Sequence, residues 1–168
     1  MSMIVSATEN DREEILELYR MQKGREFCPW SDDYPSDETI SFDLSRDSLF
    51  VMKENEKIIA AISIEKDDDV DALDCWDKDL LPGGELARVA VDPSSQSRGI
   101  GRQLMEYGMR VLKERGFKSV HFLVNKKNIK AIKCYAPFGF NVVGECFMYD
   151  QDFFCYEKAL DTFSLNQN

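Results

Sequence analysis

ELARVAVDPSSQSRGIGRQL, residues 85–104, reads as a strand, a turn, a glycine-bearing loop and the start of a helix. Leu86, Val89, Ala90 and Val91 form a short apolar run that stops at Asp92-Pro93, a turn dipeptide. Ser94, Ser95, Gln96 and Ser97 are small or polar, as a loop requires. Gly99 and Gly101 carry no Cβ, so a ligand can come close to the backbone there. The first amides of the helix that follows have no partner inside it, and the helix dipole favours negative charge. A glycine loop feeding a helix N-terminus is therefore a seat for phosphate, and Arg98 adds a fixed positive charge. A dinucleotide fingerprint would need a glycine or alanine where Leu104 stands, and a Walker loop would need Gly-Lys-Ser/Thr in place of Gly101-Arg102-Gln103. On this stretch alone, a plain glycine-rich turn between strand and helix is the other reading.

The chain has 168 residues, enough for one domain over residues 1–168 with a single core. No apolar run is long enough to span a bilayer, and the N-terminal residues show no basic stretch followed by an apolar one. A cytoplasmic protein is expected. The formal net charge of −10 argues against nucleic acid and anionic membrane as partners; it suits a cationic substrate such as an amine, or solubility alone. Cys28, Cys75, Cys134, Cys146 and Cys155 are odd in number and widely spaced, as reduced thiols would be. The single histidine, His121, alternates with apolar residues and reads as a satisfied strand residue. Without metal-ligand spacing, no metal is expected.

Outward from the central stretch, residues 4–6 read as a first strand. Asn10 and Glu13 have capping-box spacing ahead of a helical stripe of Ile15, Leu16, Leu18 and Tyr19, with an end near Gly24. Residues 27–35 are irregular. Residues 37–46 form a short helix carrying Ile40, Phe42 and Leu44. Residues 49–53 and 57–64 pair as a hairpin around Glu54-Asn55-Glu56. The acidic run Asp67, Asp68, Asp69, Asp71 and Asp74 lacks the glycine and closing glutamate of a calcium loop and reads as solvated. After the central strand, Leu104, Met105, Met109 and Leu112 mark the buried face of a helix that Gly116 ends. Residues 119–124 form a strand parallel to the central one. A helix opens at Asn128 and runs through Tyr135 to Pro137 and Gly139. Residues 140–148 and 153–159 are the last strands, turning at Asp150-Gln151. This succession implies an α/β sandwich with a mixed sheet.

Three local patterns then resemble one family, the GCN5-related N-acetyltransferases (GNAT). Gln96, Gly99 and Gly101 fit its Q/R-x-x-G-x-G/A pyrophosphate loop. NIKAIKCYAPFGF, residues 128–140, is similar to its N-x-x-A-x-x-x-Y-x-x-x-GF segment, and the terminal FFCYEKAL resembles its closing strand. The resemblance covers nearly the whole chain. It implies a three-layer α/β fold whose mixed, mostly antiparallel sheet has a splayed central pair of parallel strands. It implies acetyl-CoA as cosubstrate and transfer of its acetyl group to a primary amine of a small molecule or peptide, by direct attack in a ternary complex. Val89, Ala90 and Val91 would pair with the pantetheine arm as an added strand would. Gln96, Ser97, Arg98, Gly99, Ile100, Gly101 and Arg102 would hold the pyrophosphate, and Asn128 would contact the pantetheine. The loop departs from the family at Ser97, where a second basic residue is common.

The chemistry needs an acid for the departing thiolate, a base for the ammonium and a donor for the oxyanion. By the resemblance, Tyr135 is the acid; packing alone is the other reading of a helical tyrosine. Glu85, at the head of the central strand, matches a catalytic glutamate of histone-type members. It stands against an ordered water chain as the base. Residues 23–46 and 144–154 would build the acceptor pocket, with Cys28, Pro29, Trp30 and Tyr34 as an aromatic wall or as lid packing. A homodimer is compatible with all of this. The alternative function is a non-catalytic acyl-CoA-binding sensor or interaction module, which turnover against an amine panel distinguishes. An unrelated nucleotide-phosphate-binding protein is the third reading, set apart by binding of NAD or ATP.

Overall fold

The computed structural model describes residues 2–26 and 28–161. Phe27, part of the expected irregular connection, lies outside the described residues, as do Met1 and residues 162–168. The elements run β1 (Ser2–Ser6), α1 (Arg12–Gln22), α2 (Asp37–Ser45), β2 (Leu49–Glu54), β3 (Lys57–Glu65), α3 (Asp68–Asp71), β4 (Gly83–Val91), α4 (Ile100–Glu114), β5 (Ser119–Asn125), α5 (Ile129–Tyr135), β6 (Asn141–Met148) and β7 (Gln151–Ala159). This is the expected succession with one addition, the single-turn helix α3. The seven strands lie in the order β1-β2-β3-β4-β5-β7-β6. The β1–β2, β2–β3, β5–β7 and β6–β7 pairs are antiparallel, and β4–β5 is parallel. The class is therefore α/β with a mixed sheet. The parallel register covers Gly83↔Ser119, Gly84↔Val120 and Glu85↔His121, although β4 continues to Val91. A pairing this short is what a splayed pair calls for.

The chain divides into two compact units, one holding the residues up to Glu65 with Ala87–Tyr107, the other Lys66–Leu86 with the residues from Gly108 on. Strand β4 and helix α4 run through both. In the first unit Ile15, Leu18 and Tyr19 of α1 and Ile40 of α2 pack on Leu49, Val51, Ile58 and Ala61. The capping box ahead of α1 lies two residues earlier than the Asn10–Glu13 spacing suggests. Thr8 N–H donates to Asp11 Oδ2 at 2.9 Å, and the buried Asp11 also meets Lys53 at 3.0 Å. In α2 the inward residues are Ile40 and Asp43, whereas Phe42 is 46% exposed beneath the Arg46 guanidinium. The buried face of α2 thus carries a charge beside Ile40, and Leu44 packs against the same core. Asn55 and Glu56, both with positive φ, make the two-residue turn between β2 and β3.

Asp43 is buried because Arg88 meets it. Arg88 lies inside β4 with φ 52°, a left-handed conformation uncommon for a long side chain. Its Nη2 donates to both carboxylate oxygens of Asp43, at 2.8 and 2.9 Å, and its Nη1 to Tyr34 Oη at 2.8 Å and to Glu65. Ser63 Oγ and Arg46 Nη2 donate to Asp43 at 2.8 and 2.7 Å. Side-chain exposure is 3% for Arg88 and 0% for Asp43. A buried forked pair contributes little relative to apolar packing, but losing one member leaves the other charge stranded. Arg88→Met is expected to cost about 3–5 kcal/mol of unfolding free energy in urea titration. A loss below about 1 kcal/mol would show that the cluster is not closed as described.

In the second unit α4 lies close on β4. A Cβ at Gly84 would stand 2.4 Å from Leu112 Cδ2, and one at Gly108 2.7 Å from Leu86 Cδ2, so a side chain at either place would push the facing leucine aside. The turn between β6 and β7 falls at Tyr149-Asp150, one residue before the expected place, and both residues have positive φ. Cys75, Cys146 and Cys155 join a small core with Val70, Trp76, Leu73 and Leu123. All five cysteines are free thiols.

The acidic run is more than solvated loop. Asp67 caps α3 by accepting from the Asp69 N–H, and Asp71 Oδ1 lies 2.9 Å from His121 Nε2. His121, 1% exposed, stacks on Trp76 at 4.2 Å and faces Glu157 of β7. Burial pushes the His121 pKa below its ordinary value, against the pull of Asp71. The unfolded chain therefore binds this proton more readily than the folded one. The stability contribution is complete above about pH 6.5 and falls as pH drops through that value. In urea titrations between about pH 7 and pH 5, the parent should lose more stability than His121→Gln. Equal losses would sink the assignment.

Candidate active site

The first unit brings together Val89, Ala90 and Val91 with Gln96, Ser97, Arg98, Gly99, Ile100, Gly101 and Arg102. Asp92 N–H donates to Ile59 O of β3 at 2.8 Å. Backbone groups alternate along a strand, so the N–H and C=O of Val91 and Val89 turn away from β3. Ala90 is buried in the core and fixes the strand's end. The Val91 carbonyl accepts from Gln22 Nε2 at 2.9 Å. Sequence reading missed this contact, although Gln22 sits one turn after Leu18 on the buried stripe of α1.

Asp92 shapes the turn. Its Oδ1 accepts from Ser94 N–H at 2.9 Å and Ser94 Oγ at 2.8 Å, and Lys57 approaches the other oxygen at 3.4 Å. The Ser94 amide, then Lys57, holds the Asp92 carboxyl below its usual range. Ser97 and Gly99 have φ of 65° and 74°, with Arg98 between them. Left-handed residues in such a turn aim backbone amides into a concave seat. A Cβ at Gly99 would meet nothing within 4 Å, so backbone conformation and not space calls for glycine there. The α4 ladder opens with Gln103 N–H donating to Gly99 O at 3.1 Å, which places the Ile100, Gly101 and Arg102 amides in the first turn. Ile100 is buried and Arg102 exposed.

The cations differ from expectation. Arg98 is forked onto Glu54, with contacts of 3.2 and 2.6 Å. Three residues past α1, Arg25 Nη2 donates to Gln96 Oε1 at 3.0 Å. Neither Glu54 nor Arg25 stood out in the sequence, because their partners lie 44 and 71 positions away. Of the suggested aromatic wall, Trp30 packs edge-on against Tyr19 at 5.4 Å, which is core packing, while Tyr34 is 42% exposed and held by Arg88.

The second unit holds Glu85, Asn128 and Tyr135, in separate surroundings. Glu85 is buried on β4 opposite His121. Its charge acts on Tyr149, whose Oη donates to Asp67 Oδ2 at 2.6 Å; that bond, then burial and the charges of Asp67, Asp69 and Glu85, pushes the Tyr149 pKa up. Asn128 Oδ1 caps α5 by accepting from Ala131 N–H at 3.0 Å, so the side chain has a structural duty beside any contact its amide makes. Tyr135, half-buried on α5, stands edge-on to Phe122 at 5.1 Å and near Phe140 and Tyr156. Burial raises its phenol pKa well above the ordinary value.

Among solved structures, the ribosomal-protein-S18-alanine N-acetyltransferase of Escherichia coli superposes with a TM-score of 0.71 at 22% identity, over 100% of this chain and 99% of that one. The yncA protein of Salmonella typhimurium, solved with its cofactor acetyl-CoA, gives 0.74 at 18% identity over 99% and 98%. At these identities the likeness is one of fold. Mycothiol acetyltransferases of Thermomonospora curvata and Catenulispora acidiphila are 38% and 41% identical over 68 and 59 residues, or 40% and 35% of this chain. These alignments span 23% and 19% of the relatives' own length. The family model described as Acetyltransferase (GNAT) family matches residues 12–140, and the chain belongs to that family.

Proposed function

We propose that the chain is an acetyl-CoA-dependent N-acetyltransferase that acts on a primary amine of a small molecule or peptide, in the cytoplasm. The observation that carries the reading is the turn from Asp92 to the first turn of α4, with left-handed backbone at Ser97 and Gly99. Its donors suit a pyrophosphate, and the outward backbone groups of Val89 and Val91 suit the amides of a pantetheine arm. When bound, acetyl-CoA supplies an acetyl group activated as a thioester.

On this reading each residue has a stated task. The amides from Ser97 to Arg102 hold the pyrophosphate, with Gln96 at the mouth of the loop and Arg98 as a counter-charge. Val89, Ala90 and Val91 align the pantetheine, and the Asn128 amide contacts it. Tyr135 Oη holds a proton at neutral pH and delivers it to a leaving sulfur. Glu85 takes a proton from the acceptor ammonium, directly or through water. The carboxylates of Glu85, Asp67 and Asp69 around Tyr149 favour a cationic acceptor over an anionic one. The names of similar proteins range from a mycothiol enzyme to a ribosomal-protein alanine enzyme, so they support acetyl transfer more than any one acceptor.

The test is turnover of acetyl-CoA against a panel of primary amines, with Kd for CoA measured in parallel. Tyr135→Phe should lower kcat by about 10²- to 10⁴-fold and leave the Kd for CoA within about twofold of the parent. An unchanged kcat would remove Tyr135 from the chemistry. CoA binding without turnover of any amine would make the chain a binding module.

A further inference from the structure

The phosphate loop has one cation fewer than its task suggests. By the family resemblance Ser97 stands where a second basic residue is common, and the Arg98 guanidinium is already forked onto Glu54. At a net charge of −10 the long-range field repels an anionic ligand, so local cations must outweigh it.

A second cation reaches the loop from α1. Gln22 is 9% exposed, and its Nε2 donates to Leu18 O at 3.2 Å and to Val91 O at 2.9 Å, joining its own helix to the end of β4. Gln22 Oε1 accepts from Arg25 Nη1 at 3.4 Å, and Gln96 Oε1 accepts from Arg25 Nη2 at 3.0 Å. Gly24, with φ 80°, turns the chain so that Arg25 follows directly after the helix. The half-buried guanidinium therefore rests on two neutral amide oxygens beside the first residue of the loop. A guanidinium carries five N–H donors, and among the described residues no carboxylate forms a salt bridge with Arg25, whereas Arg98 is paired with Glu54.

We infer that Arg25 is the second cation of the phosphate site, held by Gln22 and Gln96 to bind the pyrophosphate of an acyl-CoA. Gln22 and Gln96 act as positioning residues. The inference rests on the acetyl-CoA reading above and adds to it the residue that replaces the missing base at Ser97.

The experiment is calorimetric titration of the intact chain with CoA and with pantetheine, which has no phosphate, at two salt concentrations. Arg25→Gln should weaken CoA binding about tenfold or more, as for a lost charge-assisted contact. Its affinity for pantetheine should stay at the parent value, and the salt dependence of CoA binding should become shallower. Arg25→Lys, which keeps the charge and loses the fork, should recover part of the affinity. CoA binding by Arg25→Gln as tight as the parent's would overturn the assignment. So would equal losses for CoA and pantetheine, which would mean that Arg25 only supports the fold. If the parent binds pantetheine but gains nothing from the phosphates of CoA, the phosphate site itself is wrong, and Arg25 falls with it. If the parent binds neither ligand, the acetyl-CoA reading fails first.

Discussion

The forked pair between Arg88 and Asp43 is the constraint around which the first unit is arranged. An arginine in the middle of a strand would ordinarily point to solvent, and a left-handed residue would ordinarily be glycine or asparagine. Both expectations give way because Asp43, Glu65 and Tyr34 converge on one guanidinium, and Ser63 donates to Asp43 behind it. The cluster ties α2, the end of β3 and the connection before α2 to a single point on β4. That strand is also the one whose last residues face the ligand in the proposed reaction. Charge satisfaction in the interior and ligand geometry at the strand's end therefore share one backbone segment.

The end of β4 shows the same economy. The Asp92 side chain forms the turn, Gln22 accepts the duty of tying α1 to Val91, and the helix that follows supplies amides it cannot use itself. None of this needs a large side chain. It needs backbone held in one conformation, which the Asp92–Ser94 bonds and the left-handed residues on either side of Arg98 provide.

Much of this was legible in the residues. The strands were marked by apolar runs, the helix ends by Gly24, Gly116 and Pro137, and the turn into α4 by two glycines ahead of an amphipathic helix. The α4 stripe of Leu104, Met105, Met109 and Leu112 is fully buried, as periodicity implies. What escaped notice was mostly long-range and polar. Nothing local marked Asp43, because the partner that makes it tolerable inside lies 45 positions away. Both hairpin turns lack glycine, so the second was displaced by a residue. Gln22, Arg25 and Glu54 have no local signature, since their contacts depend on which elements the fold makes adjacent.

The sulfur cluster of the second unit has a chemical consequence. Cys75, Cys146 and Cys155 share one small core, and a Cβ on Gly144 would lie 2.8 Å from the Cys75 Cβ, so the strand gives the sulfurs their room. Burial raises the pKa of Cys75, and burial followed by the neighbouring thiols raises that of Cys155 further. Thiolate is the species that attacks peroxides, disulfides and alkylating agents, and these two residues hold almost none of it at neutral pH. At Cys75 and Cys155 burial therefore favours the thiol, so these two sulfurs serve the core as small apolar groups and not as nucleophiles.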